Sequence, residues 1–167
     1  FCEEGVFTRE QARRILEAGL QHGLKPKIHA DEFTDTGGAK LAAELKAISA
    51  DHLLFASEEG LRAMAEAGVV AVLLPASPFT TLLGKYADAR KMIDKFGLAV
   101  ALATDFNPNC PVESLQTVMA LACYCMRMLP SEALTAATLN AAHAIGLSGV
   151  VGSIEPGKKA DLVLLDV

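Results

Sequence analysis

Across Lys27-Ile28-His29-Ala30-Asp31-Glu32-Phe33 the chain opens apolar, as a buried parallel strand does, and then turns abruptly polar with a histidine and two carboxylates. The helix-breaking pair Gly37-Gly38 follows shortly after. A strand that ends in imidazole and carboxylate suggests a site at the strand's carboxyl end. A polar loop that merely leaves the sheet is the alternative for this heptad alone. Two further apolar runs end the same way, at Asp51-His52 and at Thr104-Asp105, and three such ends are hard to assign to loop composition.

Outward from the heptad, strands and helices alternate. Phe1 to Glu3 reads as the tail of a strand whose beginning is not present. Thr8-Arg9-Glu10-Gln11 has the form of a capping box, and Ala12, Ile15, Leu16 and Leu20 share one helical face before Gly23. Helices are expected over Ala39–Ala47, from the Ser57 cap to Ala67, near Asp88–Phe96, over Glu113–Met128, and over Ala133–Ile145 with a break near Thr138 and an N-cap at Ser131. Val69–Leu74 and Leu98–Ala103 are continuous apolar runs, as strands buried on both faces are, and a loop through Pro78 and Gly84 follows the first. Ala160–Val167 alternates into a strand. About five strands with a helix after each make a parallel sheet with right-handed crossovers. A complete eight-stranded barrel takes about 250 residues, so the pattern fits the second half of one. A small doubly wound sheet is the competing architecture.

Bulk properties narrow the partners. The 167 residues are 51% hydrophobic and carry a net charge of −5, with no Trp; mean hydropathy is +0.32. The acidic balance, without a basic stripe, argues against nucleic acid, and Lys158-Lys159 reads as a solvated turn. No run approaches the roughly 18 apolar residues of a membrane span. Cys2, Cys110, Cys123 and Cys125 form no C-x-x-C pattern and read as free thiols of a reducing compartment. Because the chain starts at Phe1 rather than Met, it is expected to be a portion of something longer.

Among the candidate residues, a neutral His29 is a good metal ligand, and a divalent ion in an open site activates water near neutral pH. Asp105 ends the most apolar strand, where a carboxylate is costly unless it meets a cation, a histidine or several donors; a turn cap is its structural alternative. His52 reads as an acid/base partner or a hydrogen-bonded core histidine, and Glu32 as a proton shuttle or a solvated loop acid. His22 and His143 read as structural, and Lys25, Lys27 and Lys40 as surface charges. Gly37-Gly38 lacks the pattern of a phosphate loop.

The segments Phe1-Cys2-Glu3, Lys27-Ile28-His29-Ala30-Asp31-Glu32, Ser49-Ala50-Asp51-His52-Leu53, Leu73-Leu74-Pro75 and Ala103-Thr104-Asp105-Phe106-Asn107-Pro108 resemble the imidazolonepropionases. These are metal-dependent members of the amidohydrolase superfamily that act in histidine degradation. The terminal Gly152-Ser153-Ile154-Glu155-Pro156-Gly157-Lys158-Lys159-Ala160-Asp161-Leu162-Val163 resembles that superfamily's return from barrel to small β-domain. The resemblance implies an α/β fold: the C-terminal part of a metal-dependent (β/α)8 TIM barrel, about strands 4–8. Residues 1–149 would form this partial barrel and 150–167 the return strand into a small β-sandwich-like domain. It implies His29 on the fifth strand and Asp105 on the eighth as metal ligands, Asp105 also handling protons. His52 on the sixth strand would act on the substrate carbonyl or as acid/base, not principally as a ligand; Glu32 would bind the ring and assist proton transfer, and Asn107 and Asn109 would contact substrate.

The implied reaction is hydrolysis of the ring amide of 4-imidazolone-5-propanoate to N-formimidoyl-L-glutamate by a metal-activated water. Zinc or iron(II) suits a histidine-plus-carboxylate site. A cytoplasmic homodimer without nucleic-acid or membrane partners is also implied. The family's first-strand His-x-His pair and its carboxylate-binding residues are not in this sequence, so the chain alone is expected neither to hold metal well nor to catalyse. Asn109 stands where many relatives have glycine, so a different loop backbone is expected there. Two rival readings are another amidohydrolase, such as a nucleobase-type deaminase, and a non-catalytic half-barrel module.

Overall fold

The computed structural model describes residues 1–164. Four parallel strands form one sheet: β1 (Lys27–Ala30), β2 (Ser49–His52), β3 (Val70–Leu73) and β4 (Val100–Leu102), in the spatial order of the sequence. Cys2 bridges Ala30 in parallel on the other side of β1 and donates its N–H to His29 O at 2.9 Å, which adds a fifth strand position. Each strand thus pairs with its predecessor, with no reversal of order. A doubly wound sheet requires such a reversal, so the progression is that of a barrel wall.

Side chains alternate across this wall with period two. Ile28, Ala30, Ala50, Ala71, Leu73, Val100 and Leu102 pack on one face against the surrounding helices, with Leu41, Met64 and Met92 among the largest fully buried side chains. The register His29↔Asp51↔Val72↔Ala101 places those four residues in one row on the opposite face. That second face is apolar over β3 and β4, where Val70, Val72, Leu74 and Ala101 pack with Ala144. Over β1 and β2 it is polar.

The helices follow from local signals. Thr8 caps α1 (Arg9–Gln21) reciprocally: its hydroxyl accepts from Gln11 N and Gln11 Oε1 accepts from Thr8 N. Ser57 caps α3 (Glu58–Ala67), and Gly68 ends it at φ 71°. Between them α2 (Gly38–Glu44) starts one residue before the expected Ala39 and ends earlier. A Cβ on Gly38 would lie 2.7 Å from Ala30 Cβ, so glycine lets α2 approach β1 this closely.

Several expected boundaries differ. The stretch after Pro75 is α4 (Ala76–Thr80) rather than pure loop; Pro78 falls in its first turn, where the missing N–H has no intrahelical acceptor. The helix expected near Asp88–Phe96 is a π-helical turn over Lys91–Lys95, closed by Leu98 N donating to Met92 O. After α5 (Leu115–Met126), α6 (Pro130–Ala137) is capped at Leu129, not Ser131. Proline suits the first helical position, and Glu132 reaches back to accept from Leu129 N at 2.8 Å. The expected break occurs at Thr138 (φ −121°, ψ −87°), and α7 (Leu139–Ala144) follows.

The strand expected over Ala160–Val167 falls partly outside the described residues. Ala160–Leu164 is exposed and joins no sheet among the described residues, so its backbone lacks the partner a strand needs. Among the described residues no helix is long and apolar enough to cross a membrane.

Candidate metal centre

The site stands where β1, β2 and the β3 and β4 exits reach the same edge of the sheet. The chain leaves β1, β2 and β4 through left-handed backbone at Asp31 (φ 53°), His52 (φ 75°), Leu53 (φ 62°) and Asp105 (φ 56°). Each such non-glycine residue costs roughly 1 kcal/mol or more and persists only where its surroundings fix it. At β1 the fixing group is Asp31. It is fully buried and accepts from Thr36 N, Thr36 Oγ1, Gly38 N and Ala39 N at 2.8–3.0 Å. The β2 exit is stitched to the β1 exit by Leu53 N donating to Ala30 O and Phe55 N donating to Asp31 O.

These turns bring three predicted residues together. The donor atoms of His29, Glu32 and His52 lie within 4.8 Å of one another. His29 Nε2 is 3.4 Å from Glu32 Oε2, and His52 Nδ1 is 3.5 Å from Glu32 Oε1. The two imidazole centroids are 4.3 Å apart, and Phe1 stacks on His29 at 4.0 Å. Burial lowers His29 to a pKa of about 4 and His52 to about 3, so both rings are neutral near pH 7. Their facing nitrogens, His29 Nε2 and His52 Nδ1, are buried without any hydrogen-bond partner. Buried polar atoms are nearly always satisfied, so the two orphans beside one carboxylate leave places for partners from outside the chain, a cation on one nitrogen or a polar substrate group on the other. Neutral imidazole and carboxylate are donor types that hold a divalent transition metal.

Asp105 lies at the flank of this trio. Burial raises its pKa, while Ser77 and Asn107 favour its charged form. Its charge also raises Glu32, whose main perturbation is burial. Asn107 turns back on its own loop, Nδ2 donating to Asp105 O at 2.7 Å and Oδ1 accepting from Asn109 N at 2.8 Å. Asn109 therefore enters through its backbone, and the Asn107–Cys110 turn closes with two backbone bonds.

This chemistry belongs with a known family, since residues 3–167 match the amidohydrolase family. The chain belongs to the amidohydrolase family. It is 65% identical over 167 residues to the imidazolonepropionase of Geobacillus thermodenitrificans strain NG80-2, covering 99% of this chain and 39% of that protein. It is 63% identical to the imidazolonepropionase of Geobacillus kaustophilus strain HTA426, again over 39% of that protein. The chain thus spans about two fifths of the length of these relatives. Among solved structures, a metal-dependent hydrolase from Pyrococcus furiosus superposes with a TM-score of 0.73 at 17% identity, over 96% of this chain and 37% of that one. An amidohydrolase with this donor set uses a metal cofactor.

Sequence reasoning passed over two residues of this amidohydrolase site. Glu3 is buried, its carboxylate accepting from Glu32 N and Phe33 N, and its Oε1 lies 3.4 Å from His29 Nε2. The signal was available, because Phe1-Cys2-Glu3 is itself a strand tail ending in an acid. Ser77 donates to Glu32 Oε1 at 3.1 Å and gave no signal in a stretch that reads as loop. Lys27 is exposed, as a surface charge is, and its amine also donates to Ser49 Oγ and Ala144 O.

Proposed function

We propose that this chain forms about the fourth to eighth strands of an imidazolonepropionase barrel, residues 1–149, with residues 150–167 returning toward a small β-domain. The reaction is hydrolysis of the ring amide of 4-imidazolone-5-propanoate to N-formimidoyl-L-glutamate. The observation that carries this reading is the pair of unpartnered nitrogens, His29 Nε2 and His52 Nδ1, flanking Glu32 in a chain 65% identical to an imidazolonepropionase.

His29 and Asp105 would hold one zinc or iron(II), together with histidines from strands outside this chain, and the metal supplies an activated water at neutral pH. Glu32 does the proton work. Burial and the neighbouring charges of Asp105 and Glu3 raise its pKa, toward the range where a carboxyl both takes and returns a proton. It receives a proton from the attacking water and delivers it to the ring nitrogen as the C–N bond breaks. His52, neutral and 4% exposed, orients the ring carbonyl. Asp105 takes up the second proton, and the Asn107–Asn109 turn lines the ring. A cytoplasmic homodimer acting on this small molecule, without nucleic acid or membrane, completes the proposal; the four free thiols support the compartment.

Loss of the ultraviolet absorbance of imidazolonepropanoate in the presence of the metal-loaded full-length protein tests the reading, with Asp105→Asn as control. Turnover that vanishes in the variant is expected. A folded, metal-loaded protein that leaves the absorbance unchanged would sink the substrate assignment.

A further inference from the structure

We infer that Ser77 is a positioning residue of this site: its hydroxyl donates to Glu32 and fixes where the Glu32 carboxylate stands. The inference rests on the function proposed above. It starts from a side chain with no freedom. Ser77 is 5% exposed and lies between Pro75 and Pro78 in the first turn of α4. The two proline rings restrict the backbone on either side of it. Its N–H donates to Leu74 O, and its carbonyl accepts from Thr81 N, Thr80 Oγ1 and Thr81 Oγ1 at 2.8–3.2 Å. A serine pinned through its whole backbone presents its hydroxyl at one point in space.

That point faces an acid: the hydroxyl donates to Glu32 Oε1 at 3.1 Å. Among the described residues, it is the one side chain that donates a hydrogen bond to the Glu32 carboxylate. The imidazoles stand farther off, at 3.4 and 3.5 Å, with their nitrogens unpartnered. Without Ser77, nothing on the β3 side would hold Oε1, and Glu32 would be free to rotate its carboxylate out of line with the two histidines.

A hydroxyl carries one proton and can donate to one carboxylate at a time. In this structure that proton goes to Glu32. Ser77 therefore holds the orientation of the proton-handling acid from α4, the element that follows β3.

The test compares Ser77→Ala, which removes the hydroxyl and adds no bulk, with Ser77→Thr, which keeps it, in the metal-loaded full-length protein. Ser77→Ala should retain metal content and melting temperature, leave KM within about twofold, and lower kcat by roughly tenfold or more, the scale of one lost hydrogen bond to a charged group. Ser77→Thr should restore most of the loss. A second readout needs no substrate: in the metal-free protein, the infrared carboxylate stretch assigned by difference to Glu32→Gln should shift in Ser77→Ala and return in Ser77→Thr. An unchanged carboxylate stretch together with wild-type kcat in Ser77→Ala would overturn the inference. If the wild-type protein does not turn over imidazolonepropanoate, the infrared comparison alone decides: a shift sustains the positioning role on another substrate, and no shift ends it.

Discussion

The two ends of the same sheet handle their polar groups in opposite ways. At the amino-terminal end, Lys27 Nζ reaches Ser49 Oγ and Ala144 O, and Asn140 Nδ2 donates to Val100 O at 2.8 Å, so α7 closes the end with every named donor satisfied. At the carboxyl-terminal end, four residues sit in left-handed backbone, two imidazole nitrogens are orphaned, and Glu3, Glu32 and Asp105 all have raised pKa values because burial disfavours their charge. One end is built for stability and the other holds strain and unmet valence, which marks it as the working end.

The sharpest way to break the comparison is to change one working acid. Glu32→Gln keeps the size and the acceptor for Ser77 but removes the group proposed to carry the proton. Activity of the full-length enzyme should fall by about 10²–10⁴-fold, while the urea midpoint stays or rises, because an uncompensated buried carboxyl has gone. A variant that unfolds readily and turns over normally would reverse the roles given to the two ends.

Asp31 tests whether the strain is held in place from below. Asp31→Ala removes the acceptor for three backbone N–H groups and one hydroxyl. Buried donors left unpaired cost about 1–3 kcal/mol each, so a total of at least about 3 kcal/mol is expected in urea unfolding. Metal should be lost as well, since the turn that follows His29 is no longer fixed. A loss under about 1 kcal/mol would mean that the left-handed turn holds itself.

Acid separates the ends by pH. His29 and His52 have folded pKa values of about 4 and 3, below the usual value near 6.5. Between these limits the unfolded chain binds more protons, so this part of the stability is present above about pH 6.5 and drains away as pH falls toward 4. The raised acids work the other way: their contribution is present at low pH and lost as pH rises through their folded values. In the metal-free protein, the double variant His29→Asn/His52→Asn should flatten or invert the fall in melting temperature between pH 6.5 and 4. Parallel pH profiles for the two proteins would exclude this assignment.

How far this contrast was legible in the sequence depends on the distance each feature spans. Val69–Leu74 and Leu98–Ala103 show as strands because burial on both faces leaves an uninterrupted apolar run. Glu32, His29 and His52 show because a strand end that turns polar is a local pattern. Asp31 showed only as one carboxylate of two, since its partners Thr36, Gly38 and Ala39 meet it through a folded-back loop. Lys27 is exposed as read, but its bonds reach Ser49 and Ala144, more than a hundred residues later, and no local pattern shows them. The cap at Leu129 was missed because a backbone N–H, held by Glu132, does the work that Ser131 advertises.

The smallest effect probes the closed end. Asn140→Ala removes the bond to Val100 O, and Val100 is 3% exposed. A typical net hydrogen bond contributes about 1 kcal/mol, and a buried acceptor left without its partner raises the loss to about 1–2 kcal/mol. Because α7 packs on β3 and β4, away from His29 and His52, that loss should appear in the urea midpoint and not in KM or metal content. Asn140→Ala and Glu32→Gln should then add when combined, as independent sites do. A combined stability change that departs from the sum by more than about 0.5 kcal/mol would mean that the closed end reaches through the sheet to the site, and the two ends would have to be treated as one.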